Sequence, residues 1–413
     1  MLPRLRHKNL AWRPPPNSAF RIPKWMKPVL KHLPEDFQVE ERTARTAEGG
    51  PYALYQLTKR SLGTPEAVEA VSRRWKIARR DIANGGLKDR HAQTRQWLTI
   101  HHGPRRDLQQ TNLQLAYVGQ TGGPFVAADI AANAFRVVLR DLSREEVSQA
   151  RPTLESVARD GVPNYFDQQR FGSVGQSREF IARAWCRGDY LRALWLAMAD
   201  PNPHDRPRDK RQKKFLRDHW GQWAECRAAL GRWPWQQVIA HLAERPDDCR
   251  GAMALIRPDL RSLYIAAFQG FVWNRMLSTL LREQCPAEQL FQVFWGVDTV
   301  AFYRSLGETQ RQTLAKAELP LPSARLRLED GPTNDLVQRA LGRLELRLED
   351  LRIDYPRDSF FSRGQRAAVF FPAGLEFAAD DDEIYSGRRK ITLRFELPRG
   401  CYATILLRRL WER

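Results

Sequence analysis

Alternating apolar and polar positions predict strands in the first 140 residues of the chain. Phe37 and Val39 lie on one face of the first predicted strand, and the polar or charged residues between them lie on the other. The strands predicted in this way cover residues 36–40, 52–57, 97–100 and 135–140. In the last of them, Arg136 and Arg140 lie opposite the face of Phe135, so we expect a half-buried strand with a basic outer face.

Helical periodicity begins near Thr64 and dominates after about residue 160. Thr64 can cap a first helix, with Pro65 at its first position. Further helices are predicted over residues 177–199, 220–243 and 261–281. Strand alternation returns after about residue 360, with Ile391, Leu393, Phe395 and Leu397 on one face. Strands, then helices, then strands predict an α+β protein with a helical domain inserted into a domain that has an antiparallel sheet.

The charge of the chain favours nucleic acid as its partner. Its 413 residues include 67 Lys plus Arg against 48 Asp plus Glu, a net charge of +19. A membrane surface is disfavoured, because the longest mostly apolar uncharged stretch, residues 262–274, is too short to span a bilayer. The basic run from Pro203 to Arg217 is expected to contact phosphates, the alternative being a solvated loop.

The cysteines and the N-terminus both bear on the cellular location. Five cysteines without a C-x-x-C pair indicate neither a zinc site nor a disulfide framework, so we expect a reducing cytoplasm and no metal. Residues 1–7 contain no apolar segment of the kind that secretory signals have, and Pro14 to Pro16 argue against a helical transit peptide.

Residues 86–91, with the sequence Gly-Leu-Lys-Asp-Arg-His, are the strongest candidate for chemistry. Asp89 stands between Lys88 and Arg90 after a glycine turn, and cations beside a carboxylate favour its ionised form. An ionised carboxylate in a cationic turn suits a nucleophile or base that acts on an anionic polymer. The alternative is a solvated turn with a local ion pair.

Six motifs, in order along the chain, resemble those of the TruD-type tRNA pseudouridine synthases. They occupy residues 31–37, 86–96, 133–135, 161–172, 267–275 and 397–404. Three positions depart from the family pattern: Ala132 replaces a usual Gly, Cys401 a usual Ser, and Arg409 a common acid. None of the three departures affects Asp89, the position of the essential aspartate of the family.

The resemblance implies a pseudouridine synthase-like catalytic domain with a mixed, largely antiparallel sheet. This domain would comprise residues 1–158 and 361–413, and a helix-rich inserted domain would comprise residues 159–360. The implied enzyme is an isomerase that breaks the bond from uracil N1 to ribose C1′ in tRNA, turns the base and rejoins it through C5. Uridine 13 is the target implied by the family. No cofactor or metal is needed, and a monomer is the default expectation.

The resemblance also assigns roles to individual side chains. Asp89 is the nucleophile at C1′ or the base at C2′. Phe135 would stack on the flipped uracil, although periodicity alone makes it a core residue. Asn133 would bind the base edge or the ribose, the alternative being a strand-end cap. Lys31 would pair with Asp89 or contact phosphate, and Phe37 lies either in the core or beside the pocket.

Lys88 and Arg90 are expected to hold backbone phosphates rather than to take part in chemistry. Tyr402 and Thr404 are expected to close the catalytic sheet beneath the site. A competing function is a non-catalytic RNA-binding or chaperone protein on the same fold. A pure binder needs the basic surface but not an ordered acid within it, so Asp89 favours the enzyme. An RNA hydrolase is disfavoured by the absence of a metal-binding acid cluster from the sequence.

Overall fold

The computed structural model describes residues 28–229 and 233–411. The segments from which no secretory or transit signal is expected, residues 1–7 and 14–16, lie outside the described residues. No helix in the described ranges is both long and apolar enough to cross a membrane.

Strands lie mainly in the first third of the chain and near its end. Their bounds are β1 (Val29–Leu30), β2 (Phe37–Arg42), β3 (Tyr52–Arg60), β4 (Ile82–Asn84), β5 (Gln93–His101), β6 (Leu108–Gln110), β7 (Leu113–Thr121), β8 (Ala132–Leu142), β9 (Val162–Pro163), β10 (Leu290–Phe294), β11 (Thr299–Tyr303), β12 (Glu318–Pro320), β13 (Gln365–Ala367), β14 (Val369–Phe370), β15 (Ala373–Asp381) and β16 (Arg389–Pro398). The strands predicted from alternation are confirmed within β2, β3, β5, β8 and β16.

One large sheet joins the two ends of the chain. Its order is β15-β16-β8-β2-β5-β3-β7-β6, with β1 beside β8 and β4 beside β5. Among the strand pairs that the structure describes in this sheet, β2 and β5 run parallel and the others antiparallel. The predicted mixed, largely antiparallel sheet is therefore confirmed.

Helices occupy most of the middle of the chain. Their bounds are α1 (Thr64–Trp75), α2 (Arg144–Asp160), α3 (Ile181–Cys186), α4 (Tyr190–Met198), α5 (Pro207–Asp218), α6 (Trp223–Ala229), α7 (Gln236–Glu244), α8 (Cys249–Ala254), α9 (Pro258–Gln284), α10 (Glu308–Lys316), α11 (Pro332–Gly342) and α12 (Ala403–Trp411). The helix predicted over residues 261–281 is confirmed and is longer than expected, since α9 is one helix of 27 residues.

Two predictions about the helical part are wrong in detail. The helix predicted over residues 177–199 is two helices, because Gly188 adopts a φ of 73° and Asp189 caps α4 through Arg192 N. Residues 220–243 likewise contain two helices, α6 and α7. The basic run from Pro203 to Arg217, for which a solvated loop was the alternative to a phosphate contact, is largely helical, because it contains most of α5.

The chain enters and leaves the helical part at neighbouring points. It leaves the sheet after β8 and α2, and β9 pairs with β14 just before the chain returns through β15 and β16. This topology is the one that an inserted helical domain requires. The domain boundaries at residues 158 and 360 remain a prediction.

Tyr402 and Thr404 do not close the sheet as expected, since Thr404 lies in the first turn of α12.

The basic outer face predicted for β8 is also wrong. Arg136 is half-buried and Arg140 is buried, with its guanidinium bonded to Asp36 and Asp382 at 2.8–3.0 Å. A third carboxylate, from Glu383, accepts from Arg140 Nη2 at 3.0 Å. Arg140 therefore connects the turn before β2 with the turn between β15 and β16, and alternation alone does not reveal partners so distant in sequence.

Candidate active site

The loop between β4 and β5, which precedes a central strand of the large sheet, carries Asp89. The Asp89 side chain is 39% exposed, and its Oδ2 accepts a hydrogen bond from Lys31 Nζ at 2.8 Å. Lys31 follows β1 directly, and its ammonium also lies 4.0 Å from the centre of the Phe37 ring. Of the two alternatives for Lys31, the structure therefore shows the ion pair with Asp89.

The two cations beside Asp89 in sequence are not its partners in the structure. The Arg90 side chain, which is 57% exposed, approaches Glu66 at 3.4 Å. Lys88 points inward instead, and its Nζ lies 2.9 Å from Glu41 Oε1 and donates to Asn133 Oδ1 at 2.6 Å. The expectation that Lys88 holds a phosphate does not fit this arrangement, because its ammonium is already engaged by two protein groups.

Glu41 connects Lys88 and Asn133 to the sheet. Its side chain is fully buried at the end of β2, where Glu41 pairs with Asn133 across the strands. Glu41 Oε2 accepts from Trp97 N at 2.8 Å. Glu41 Oε1 forms the ion pair with Lys88 but has no aligned hydrogen bond. A carboxylate, an ammonium and an amide thus form one buried polar chain beside the Asp89 loop.

Polar side chains from three other elements hold the loop backbone in place. Thr64 Oγ1 accepts from Lys88 N at 2.9 Å and donates to Gln96 Oε1 at 2.8 Å. Gln96 Nε2 in turn donates to Gly86 O at 3.3 Å. Lys59 Nζ donates to the carbonyl of Asp89 at 3.0 Å. The hydroxyl of Thr64 therefore does not cap α1 as expected, since it is used by the loop.

Aromatic side chains form the floor beside the charged groups. Phe135 lies on the same face of the sheet as Asn133, since residues two apart in a strand share a face. Its ring is half-buried, stacks against Phe395 with centres 5.3 Å apart and meets Phe37 edge-on at 6.1 Å. Phe37 itself is 2% exposed and belongs to the core. Phe135 is only partly buried, so part of this side chain is accessible from outside the sheet.

The structure thus brings most of the predicted site residues together. Lys31, Phe37, Lys88, Asp89, Asn133 and Phe135 form one connected group, whereas Arg90 lies on the outer rim of the loop. Within the described ranges, no group of three or more His, Cys, Asp or Glu side chains is arranged to hold a metal ion. The arrangement presents one half-exposed carboxylate, paired with an ammonium, next to an aromatic face.

Sequence reasoning missed Glu41, Lys59 and the loop contacts of Thr64 and Gln96. A signal for two of them was present in the alternation. Glu41 continues the apolar face of Phe37 and Val39, and Lys59 continues the buried face of Leu57, so each is a charged residue in an apolar register. A charge at an inward position indicates a buried partner or a functional group.

The sequence model of one family matches almost the whole chain. The model for tRNA pseudouridine synthase D matches residues 25–410. The chain belongs to the tRNA pseudouridine synthase D (TruD) family. Its predicted enzyme class, an isomerase that forms pseudouridine, is confirmed by this membership. The TruD motif with Asp89 therefore lies in the same loop that the structure places at the centre of the site.

Individual TruD proteins agree with this assignment. The tRNA pseudouridine synthase D of Aquifex aeolicus is 27% identical over 391 residues, which cover 92% of this chain and 97% of that protein. A protein assigned as tRNA pseudouridine synthase D 2 in Methanocaldococcus jannaschii is 28% identical over 398 residues, 92% of this chain and 90% of its own.

A solved TruD structure has the same fold. The crystal structure of the chain assigned to TruD in Methanosarcina mazei superposes with a TM-score of 0.70 at 24% identity, and the match covers 94% of both chains. This likeness confirms the α+β fold class predicted from the order of strands and helices.

Proposed function

We propose that this TruD-family chain isomerises one uridine of tRNA, uridine 13, with Asp89 as the reacting group. One observation carries the proposal: the half-exposed Asp89 carboxylate is paired with Lys31 at 2.8 Å on a loop that buried polar groups hold in place. A folded protein that only bound RNA would have no need to fix an acid in a cationic surface, because a carboxylate repels phosphates.

Two chemical routes use this carboxylate. In the first, an Asp89 oxygen attacks ribose C1′, the bond from C1′ to N1 breaks, and uracil leaves with the electron pair. After the base has turned, its C5 attacks C1′ and displaces the carboxylate. In the second, Asp89 removes the proton from C2′ as N1 leaves, C5 adds to C1′, and the proton returns to C2′. In both, C5 loses a proton, N1 gains one, and the RNA keeps its mass.

Asn133 is oriented to recognise the base in either route. An ammonium is only a donor, so the atom of Asn133 that lies 2.6 Å from Lys88 Nζ must be the amide oxygen. The amide NH₂ group, for which no hydrogen-bond partner is found among the described residues, is then available to donate. Uracil offers carbonyl oxygens as acceptors, so we assign this donor to the base edge, next to the ring of Phe135.

Phe135→Ala is expected to slow turnover more than it destabilises the protein. Loss of a base-stacking ring costs roughly 1–3 kcal/mol of binding to the base, which corresponds to about 5- to 150-fold in rate at subsaturating RNA. The measurement is single-turnover kinetics alongside thermal unfolding. The matched control is Phe395→Ala: this ring is 3% exposed, so its loss should cost roughly 3–5 kcal/mol of stability. Near-normal turnover of folded Phe135→Ala would contradict stacking on the base and leave Phe135 with a structural role only.

Helix α5 is the second element that we assign to RNA binding. Lys210, Arg211 and Lys214 are exposed within one 100° stripe of the helix, whereas Lys213 is held by Asp205 at 2.9 Å. Lys214 also pairs with Asp218 at 2.6 Å, an exposed contact that a phosphate can replace. The stripe therefore presents three cations to the backbone of a bound RNA.

Replacing Lys210, Arg211 and Lys214 together with alanine should flatten the salt dependence of tRNA binding. For every phosphate that the helix no longer neutralises, the slope of log affinity against log salt falls by about 0.9 on a duplex or about 0.7 on a single strand, so a total change of about 2–3 is expected. Lys213→Ala is the control and should leave the slope unchanged. An unchanged slope in the triple variant would show that α5 does not contact the RNA.

Tritium release from tRNA labelled at uridine C5 tests the proposed reaction directly. Rejoining the base through C5 expels the hydrogen at that position, so the purified protein should release tritium to solvent at a rate proportional to the amount of enzyme. Binding of the same tRNA without release would show instead a non-catalytic RNA-binding protein.

A further inference from the structure

A buried lysine lies beneath the Asp89 loop. Lys59 is 1% exposed, and its Nζ donates to the carbonyl oxygens of Leu62 at 2.7 Å, Asp89 at 3.0 Å and Lys88 at 3.4 Å. Two of these carbonyls belong to consecutive residues of the reactive loop. In the part of the chain that the structure describes, no carboxylate lies within ion-pair distance of Lys59 Nζ.

A buried ammonium of this kind destabilises the folded protein. Burying an ammonium without a carboxylate disfavours its charged form, and burial lowers the pKa of Lys59 to about 8. The negative charges of Asp89 and Glu66 act in the opposite direction, and the positive charge of Lys88 acts in the same direction as burial. An apolar side chain of similar length would avoid this cost but would leave the carbonyls of Leu62, Lys88 and Asp89 without the donor, so the lysine is explained by these carbonyl contacts.

The contacts of Lys59 explain what the charge can do. Bonds from one ammonium to the carbonyls of Lys88 and Asp89 fix the two peptide planes on either side of the Asp89 Cα, and thereby the direction of its side chain. Lys31 holds the carboxylate from outside, and Lys59 holds the backbone from inside.

We propose that Lys59 is a positioning residue that aims the Asp89 side chain by holding the backbone carbonyls of Lys88 and Asp89. The proposal rests on the proposed function of Asp89. Lys59 does not touch the RNA, because it is buried, so its loss should affect the rate of the chemical step rather than the affinity for tRNA.

Lys59→Met is the first test, measured as the single-turnover rate at saturating tRNA between pH 6 and 9.5. We expect the rate at pH 7 to fall roughly 10- to 100-fold, as for other reacting groups displaced by about 1 Å, with the tRNA dissociation constant changed by less than about threefold. The wild-type rate should decline above about pH 8, where Lys59 loses its charge, and this decline should be absent in Lys59→Met. Ionisation of the RNA bases at high pH changes the rates of the wild type and of Lys59→Met alike, so the test is the difference between the two pH profiles.

Two further variants separate positioning from folding. Lys76→Met replaces an exposed lysine of the same domain and should leave the rate and the pH profile unchanged. Lys59→Gln keeps donors for the carbonyls but lacks the charge, so it should restore part of the rate at pH 7 but not the decline above about pH 8. Lys59→Gln therefore tests the positioning role of Lys59 even where Lys59→Met does not fold.

The outcomes distinguish this proposal from the proposed function. A wild-type protein without activity on tRNA would overturn the function itself. An active wild type together with a folded Lys59→Met of unchanged rate and pH profile would overturn only the role of Lys59. A fall in tRNA affinity that accounts for the whole loss of rate at low RNA, with a normal rate at saturation, would also overturn it.

Discussion

Asp89→Asn is expected to reduce the single-turnover rate of pseudouridine formation by at least about three orders of magnitude, the scale seen when a reacting group is removed. The amide keeps the shape of the carboxylate but is neither an anionic nucleophile at C1′ nor a base at C2′. Affinity for tRNA should change by only a few-fold, because the amide still fits beside Lys31 and the phosphate contacts are unaffected.

The control for this result is Asp380→Asn, which removes an exposed carboxylate of β15, remote in sequence from the loop. Its rate should equal that of the wild type. Both variants are measured with tRNA in excess of its dissociation constant, and folding is checked by thermal unfolding. A rate of Asp89→Asn within tenfold of the wild type would remove Asp89 from the chemistry.

Arg140→Met should be among the most destabilising single substitutions in the large sheet. It leaves the Asp36 and Asp382 side chains, which are 2% and 0% exposed, as buried carboxylates without their cation. Breaking one partner of a buried ion pair costs roughly 3–5 kcal/mol in the free energy of unfolding. Denaturant titration measures this cost. Arg136→Met, on the same strand, should change stability by less than about 1 kcal/mol; equal effects would contradict the structural role of Arg140.

The carboxylates around Arg140 should make the free energy of unfolding depend on pH in the acid range. Hydrogen bonds from Arg140 and Lys390 lower the pKa of Glu383 from 4.5 to about 2. The pKa of Asp382 is also lowered, because hydrogen bonds from backbone amides and from Arg140 outweigh its burial. A carboxylate with a depressed pKa stabilises the folded state above its unfolded pKa, so stability should decline as the pH falls from about 4.5 toward 2. In Arg140→Met this decline should be shallower.

The fold was largely predictable because its signals are local. Strand alternation around Phe37 and the apolar stripe of α9 depend on residues a few positions apart, and the structure confirms both. The errors concern side chains whose partners lie far away in the sequence. Arg140 reads as an outward cation by alternation, but its partners Asp36 and Asp382 are 104 and 242 residues away.

The central residue of the site and several of its neighbours were predictable, whereas the buried groups that hold the loop were not. The motif identifies Asp89, and the family resemblance gave its pairing with Lys31 as one of two alternatives, which the structure shows although the two residues are 58 positions apart. The expectation that Lys88 holds a phosphate was wrong, because its ammonium is engaged by Glu41 and Asn133. Lys59 of β3 and Glu41 of β2 act through contacts with the loop that carries Asp89, and no short motif encodes these contacts. An inward-facing charge within an apolar alternation was the available signal for both.

Mapping pseudouridine at single-nucleotide resolution would decide whether Asp89 isomerises uridine 13 of tRNA. Unmodified tRNA is incubated with the purified wild type or with Asp89→Asn, treated with a carbodiimide that forms a stable adduct on pseudouridine, and read by reverse transcription. We expect one new stop in the D-arm, at uridine 13, with the wild type and no stop with Asp89→Asn. A stop at another uridine would contradict the assigned target, and the absence of any new stop with folded, tRNA-binding wild type would contradict the assignment of Asp89 as the residue that isomerises tRNA.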